Sequence, residues 1–229
     1  MLKNSLTNSF FYLLLVVILC IQSSLAYAQK KFPTNQQPMY GNIHEMAPKN
    51  EAEKKFLERI RAADKRFIKQ IIAKGYSRKS GARAMLKRGW QHFEKKEYVV
   101  AIKRFNQAWL LDPEYGDPYH GFALISAVRN EAPSLIEKYL QKAISKSSVS
   151  VAAHVDYGRF LWTQKKLDKS LIILNRALEI EPRAYNARSH ISFVYFLKEN
   201  FLESCKWGKL AEKNGDSVEE GFVKDMCRR

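Results

Sequence analysis

The side chains able to do acid–base, metal or nucleophilic chemistry are few in this sequence, and they are dispersed. Beyond residue 28 the histidines are His44, His92, His120, His154 and His190, the natural general acids, bases and metal ligands. Three of them fall on the first helices of successive repeat units, which is expected to spread them along the molecule without convergence on one pocket. His92 stands where a packing side chain is expected. No Ser sits in a G-x-S-x-G elbow, and neither H-E-x-x-H nor a Gly-rich phosphate loop occurs. Ten glycines in the whole chain leave such a loop little material. The carboxylate pair Glu219-Glu220 belongs at a helix start, where the helix dipole accounts for it. Cys205 and Cys227 are not part of a C-x-x-C pair, and no His/Cys cluster has metal-ligand spacing. No enzyme activity, cofactor or metal is expected.

The first residues point to export. Lys3 is the only charge before Lys30, Phe10 to Ile21 is an unbroken run of 12 apolar residues, and Leu25-Ala26-Tyr27-Ala28 supplies an A-x-A cleavage signal. The sequence therefore predicts a signal peptide over 1–28 and a periplasmic mature chain. The rival reading is an uncleaved anchor in the inner membrane, although the run is shorter than the roughly 20 residues a spanning helix needs. Two cysteines in an oxidising compartment permit a disulfide. The net charge is +16. In an exported chain that balance favours anionic lipid or acidic polymer over nucleic acid as a partner.

The main signal is an internal repeat. Ala82 to Glu114 aligns with Val151 to Arg183 at a constant offset of 69: Gly89 with Gly158, Tyr98 with Leu167, Ala101 with Ser170, Phe105 with Leu174, Ala108 with Ala177 and Pro113 with Pro182. A further copy begins at Tyr185, with Ser192, Phe201, Ser204, Gly208, Ala211 and Asp216 in the same columns at a further offset of 34. The stretch 116–150 fills the remaining slot, with Ala123, Leu135 or Ile136, and Ala143 in the small and apolar positions. Gly89 and Ala108 let two helices approach closely, Tyr98 and Phe105 fill the space around that contact, and Pro113 ends the second helix. One such hairpin cannot bury its own apolar face, so stacked neighbours must do it.

This pattern resembles the tetratricopeptide repeat over residues 82–218, about 60% of the chain. The segment Arg88-Gly89-Trp90 through Phe105 to Pro113 is similar to the first unit of exported bacterial members with no assigned function. The resemblance implies an all-α, right-handed helical solenoid of four helix–turn–helix units, 82–115, 116–150, 151–184 and 185–218. Around the units the sequence adds a flexible leader at 29–49, an N-terminal amphipathic helix at 50–75 and a C-terminal cap helix at 219–229. Asn50 with Glu53 reads as the start of the N-terminal helix and Gly75 as its stop. Phe56, Ile60, Ala63, Phe67 and Ile71 form its apolar stripe. Asp117-Pro118 reads as an N-cap with proline at the first helical position, Pro133 as a first-turn proline, and Ser217 to Glu220 as a capping box.

In tetratricopeptide solenoids the first helix of each unit lines the concave surface. Placed on this chain, that rule sends Leu86, Trp90 and Phe93 inward from the first unit, His120 and Leu124 from the second, Arg159 and Trp162 from the third, and Phe193 and Phe196 from the fourth. Aromatic and Arg side chains dominate interface energetics, so such a groove suits an extended or helical peptide, unless the chain's own leader lies in it. The Lys/Asn clamp that grips acidic C-termini is absent, since Leu86 and Trp90 hold its first-unit places. Cys205 should face the helix carrying Cys227, as a bridge closing about 22 residues or as two free buried thiols. The expected function is a protein- or peptide-binding scaffold of the cell envelope; the alternative is a binder of anionic lipid or polymer through the basic surface.

Overall fold

The structure, a computed structural model, describes residues 34–39, 47–146 and 148–229. The export signal expected at 1–28 and His44 lie outside the described residues. Ten α-helices follow one another among the described residues: α1 Glu51–Ala73, α2 Arg78–Glu94, α3 Tyr98–Leu111, α4 Asp117–Val128, α5 Pro133–Ile144, α6 Val151–Thr163, α7 Leu167–Ile180, α8 Ala187–Leu197, α9 Phe201–Asn214 and α10 Phe222–Met226. A 3-10 turn covers Thr34–Gln36. Tyr115 and Ser148 form an isolated parallel bridge. Helices α2/α3, α4/α5, α6/α7 and α8/α9 pack as hairpins, and each hairpin packs on the next.

The small residues of the repeat sit where the helices touch. A Cβ on Gly89 would stand 2.4 Å from the Phe105 ring, and one on Gly158 would stand 2.4 Å from Leu174. In the later units serine occupies the small positions, and its hydroxyl bonds to backbone of the facing helix. Ser170 Oγ donates to the Gly158 carbonyl at 2.8 Å, and Ser192 Oγ donates to the Ser204 carbonyl at 2.7 Å. A buried hydroxyl satisfied this way does not carry the cost of an orphaned polar group. One core cluster runs from Ile71 through the first two units to Leu161, and a second joins Val155 and Leu174 to Ile191 and Val194.

The four intra-unit turns are identical in form. Lys96, Asn130, Lys165 and Glu199 all take left-handed backbone, at φ 61, 53, 58 and 58. In each, the following residue donates five positions back (Glu97 to His92, Glu131 to Ser126, Lys166 to Leu161, Asn200 to Tyr195). This is the Schellman ending, which glycine usually serves. None of the four is glycine. Lys165→Gly is therefore expected to raise stability by about 0.5–1 kcal/mol, the relief of left-handed strain outweighing the added freedom of the unfolded chain. A rise in urea midpoint at unchanged slope checks it.

The turns also place the extra residue of the second unit. From turn to turn the steps are 34, 35 and 34 residues. Ile136, Leu140 and Ala143 are buried like Ala101, Phe105 and Ala108, 35 residues earlier. The insertion therefore lies at Glu131–Ala132, just before Pro133 opens α5, and Ile136, not Leu135, fills the apolar column.

At the ends of the array, Asn50 caps α1, its side chain accepting from the Glu53 amide at 2.9 Å, and Gly75 leaves the helix at φ 84. The α1 stripe is shifted from its expected line: Leu57 and Ile71 are buried, whereas Phe56 is 48% exposed. Two expected caps differ from the sequence reading. Asp117 is the first residue of α4 and not its N-cap, and its carboxylate accepts from the amide of Ser150, the N-cap of α6, at 2.7 Å. Residues 217–220 form no capping box. Ser217 N–H donates to Asn186 Oδ1, and Asp216 accepts from the amides of Arg188 and Ser189. The chain is thereby tied to the start of α8, and α10 begins only after Gly221, in left-handed backbone.

The leader was expected to be extended or flexible. Residues 35–39 lie against the repeats, with Met39 buried and the backbone of Asn35, Gln36 and Gln37 held by Asn106 and Arg129.

Candidate functional site

Helices α2, α4, α6 and α8 present a row of facing side chains, because each is the first helix of its unit. Trp90 on α2 packs against Phe93, against Phe105 beneath it, and against His120 on α4, with ring centroids 5.8, 4.9 and 5.2 Å away. His120 Nε2 meets Asp156 Oδ2 on α6 at 2.8 Å, and Asp156 Oδ1 accepts from Arg159 at 3.1 Å. Trp162, one turn further along α6, packs against His190 and Phe193 on α8 at 6.1 and 4.8 Å. Phe193 continues to Phe196 and, at 6.1 Å, to Phe222 on α10. The row is thus two aromatic clusters joined by a polar link.

The electrostatics of that link follow from its burial. His190 is pushed down to about 4, because burial disfavours its cation and Arg159 repels it, while Asp156 and Asp216 oppose the shift. At neutral pH it is an uncharged ring beside Trp162. Burial alone would raise the Asp156 carboxyl. The His120 hydrogen bond, with the charges of His120, Arg159 and His190, brings it below its ordinary value. His154, also on α6, stands apart from this group, and its burial lowers it. The histidines were expected not to converge. His120 nonetheless meets Asp156, and the charge of His190 acts on the same carboxylate, because side chains on successive first helices stand close to one another. His92 instead meets Glu97 across the turn of the first unit.

At the α8 end the row opens into a cavity of about 260 Å³ between Trp162, His190, Phe193, Phe222 and the stretch Ser217–Glu219. The Trp162 indole Nε1 is buried and has no hydrogen-bond partner. Of the nine groove residues expected from the sequence, Trp90, Phe93, His120, Arg159, Trp162, Phe193 and Phe196 belong to the row. Leu86 is buried in the core and Leu124 is half-buried. Leu86 and His120 are floor, because both are closed to solvent. Asp156, His190 and Phe222 were missed. Asp156 and His190 occupy the same column one period apart, a signal present in the sequence; Phe222 arrives only through the docking of α10.

Cys205 on α9 and Cys227 after α10 form a disulfide, with Cα atoms 4.8 Å apart and 22 residues of separation. Beside it Arg229 lies over the Phe201 ring at 5.0 Å. Among the described residues no group of three His, Cys, Asp or Glu is placed to hold a metal ion. No helix among them is long and apolar enough to cross a membrane.

No family model matches the sequence, and comparison with curated proteins gives no match. Solved structures do match. PilF of Pseudomonas aeruginosa superposes at a TM-score of 0.56 with 18% identity, over 61% of this chain and 63% of that one. The chain thus spans less than two thirds of PilF. PilW, a widely conserved type IV pilus biogenesis factor, gives 0.54 at 13% identity over 74% of this chain and 86% of its own. YrrB, a tetratricopeptide-repeat protein with an unusual peptide-binding site, gives 0.50 at 19% identity over 76% and 87%. At such identities the likeness is one of fold. Its own repeats, its stacked hairpins and these superpositions agree that the chain has the fold of a tetratricopeptide-repeat helical solenoid.

Proposed function

We propose that the chain is a non-enzymatic protein-interaction scaffold of the cell envelope, exported by residues 1–28, that binds a peptide or protein segment along its concave face. The observation that carries this reading is the open end of the aromatic row. Trp162, Phe193 and Phe222 wall a cavity the size of one or two side chains. Trp90, Phe93, Leu124, Arg159 and Phe196 extend the surface, with Leu86 and His120 beneath it. The peptide-binding site of YrrB and the pilus role of PilW support the reading by analogy of fold.

The test is capture from envelope extract by residues 29–229, beside a Trp162→Ala/Phe193→Ala variant. Loss of two central aromatic anchors is expected to weaken a groove-bound partner at least thirtyfold, about 2 kcal/mol or more. A partner retained equally by both proteins overturns the reading.

A second reading is favoured by one observation, the concentration of charge. Between Glu51 and Lys96 fifteen Lys and Arg face five Asp and Glu, a net +10 of the chain's +16. Helices α1 and α2 carry most of these cations, and Lys55, Arg59, Lys65, Arg66, Arg83 and Lys87 are all exposed. Such a face suits anionic lipid or polymer. Salt separates the two readings, since exposed charge contacts weaken steeply as ionic strength rises whereas an aromatic groove holds.

A further inference from the structure

We propose that the seam between the first two units is a second peptide-binding site, one that reads the carbonyls of a turn and a single apolar side chain, and that residues 35–39 of the leader occupy it in cis. Asn106, fully buried on α3, donates through Nδ2 to the carbonyl of Gln37 at 2.8 Å and to that of Asn35 at 3.5 Å. Arg129, which ends α4, donates through Nη1 to the carbonyl of Gln36 at 2.7 Å. Three successive carbonyls are thus held by two side chains of the array. Pro38 and Met39 are buried, and Met39, 5% exposed, belongs to the main core cluster. Its backbone is left-handed at φ 49, a conformation non-glycine residues adopt when their surroundings impose it.

These contacts read backbone and one anchor. Asn106 and Arg129 hold Asn35, Gln36 and Gln37 through their carbonyls, so another segment that takes the same turn can present the same groups. The site also offers more than the leader uses. Asn106 Oδ1 is buried and has no hydrogen-bond partner. A buried amide that reads a peptide with its donor and leaves its acceptor idle is an incomplete match. A partner segment supplying that N–H, with an apolar side chain in place of Met39, binds better contact for contact. It must still displace a tethered competitor, whose effective concentration is of order millimolar. The site shares no residue with the concave row.

The test uses the full chain and a labelled peptide of the leader's own sequence, Pro-Thr-Asn-Gln-Gln-Pro-Met-Tyr, followed by fluorescence anisotropy. Met39→Asp removes the cis anchor and leaves Asn106 and Arg129 in place. The peptide is expected to bind this variant saturably and at least tenfold tighter than the unaltered chain. Adding Asn106→Leu should abolish that binding, while adding Trp162→Ala/Phe193→Ala should leave it unchanged. Circular dichroism monitors the fold; if Met39→Asp loses helix, Gln37→Pro, at a residue that is only half-buried, is the second releasing variant. Equal affinity for released and unaltered chains, no binding to a folded released variant, or dependence on Trp162 and Phe193 would each overturn the proposal. Because the last arm reports on the concave face separately, failure of the seam and failure of the groove reading are distinguishable.

Discussion

Truncating Phe105 to alanine is expected to lower the unfolding free energy by about 4 kcal/mol, the cost typical of emptying a fully buried phenylalanine site. The site has little means of closing. The ring is wholly buried and lies between two glycines of successive units: a Cβ on Gly89 would stand 2.4 Å from it, and one on Gly121 would stand 2.7 Å away. Trp90 adds an edge contact at 4.9 Å. Collapse would require α2 and α4 to move together, and both are fixed by their own turns. The same ring is packing for the hairpin of the first unit and for the interface with the second, so its loss weakens the array at its most connected point. Phe105→Leu is the internal control. Leu174 already fills this column against Gly158 in the third unit, so leucine should cost about 1–1.5 kcal/mol. Urea midpoints of the two variants decide the matter; a Phe105→Ala loss no larger than that of Phe105→Leu would contradict this account.

The second large effect is expected at the other end of the solenoid. Opening the Cys205–Cys227 bridge should cost about 3 kcal/mol, the loop-closure value for 22 residues. The dependence on the bridge is physical. Helix α10 has five residues, too few to persist alone. It is held by Val223, whose side chain lies where a Cβ on Gly208 would be 2.8 Å away, by Met226 and by Phe222 against Phe193 and Phe196. Reductant should lower the melting temperature of the unaltered chain by about 10 °C and leave Cys205→Ser/Cys227→Ser unmoved. Because Phe222 and Ser217–Glu219 also wall the cavity beside Trp162, the same treatment should weaken any ligand seated there. Loss of stability with binding intact would place the ligand away from this cavity.

The repeat was legible because close helix approach leaves a local mark. Gly89 and Gly158, and Ala108 and Ala177, recur at fixed spacing, since every hairpin solves the same packing problem with the same small residues. The aromatic row was legible for a related reason: Trp90, His120, Trp162 and Phe193 stand on successive first helices, and stacking brings those faces side by side. The Asn50 cap was legible because the cap and the amide it accepts from are three residues apart.

What the sequence concealed was settled between distant segments. Lys96, Lys165 and Glu199 adopt a turn that glycine usually signals, because four stacked hairpins impose one turn geometry whatever the residue. Ser217 to Glu220 has the spelling of a capping box. Asn186 and the amides opening α8 claim that stretch first, since a buried helix start must find acceptors. The meeting of His120 and Asp156, the arrival of Phe222 at Phe193, and the capture of residues 35–39 by Asn106 and Arg129 likewise join positions 29 to 93 residues apart. The sequence by itself determined the unit, its period and which faces are apolar, because those follow from neighbours on one helix or one hairpin. The polar link, the cavity and the leader's docking were decided only by the tertiary structure, where burial made each polar group depend on a partner from another unit.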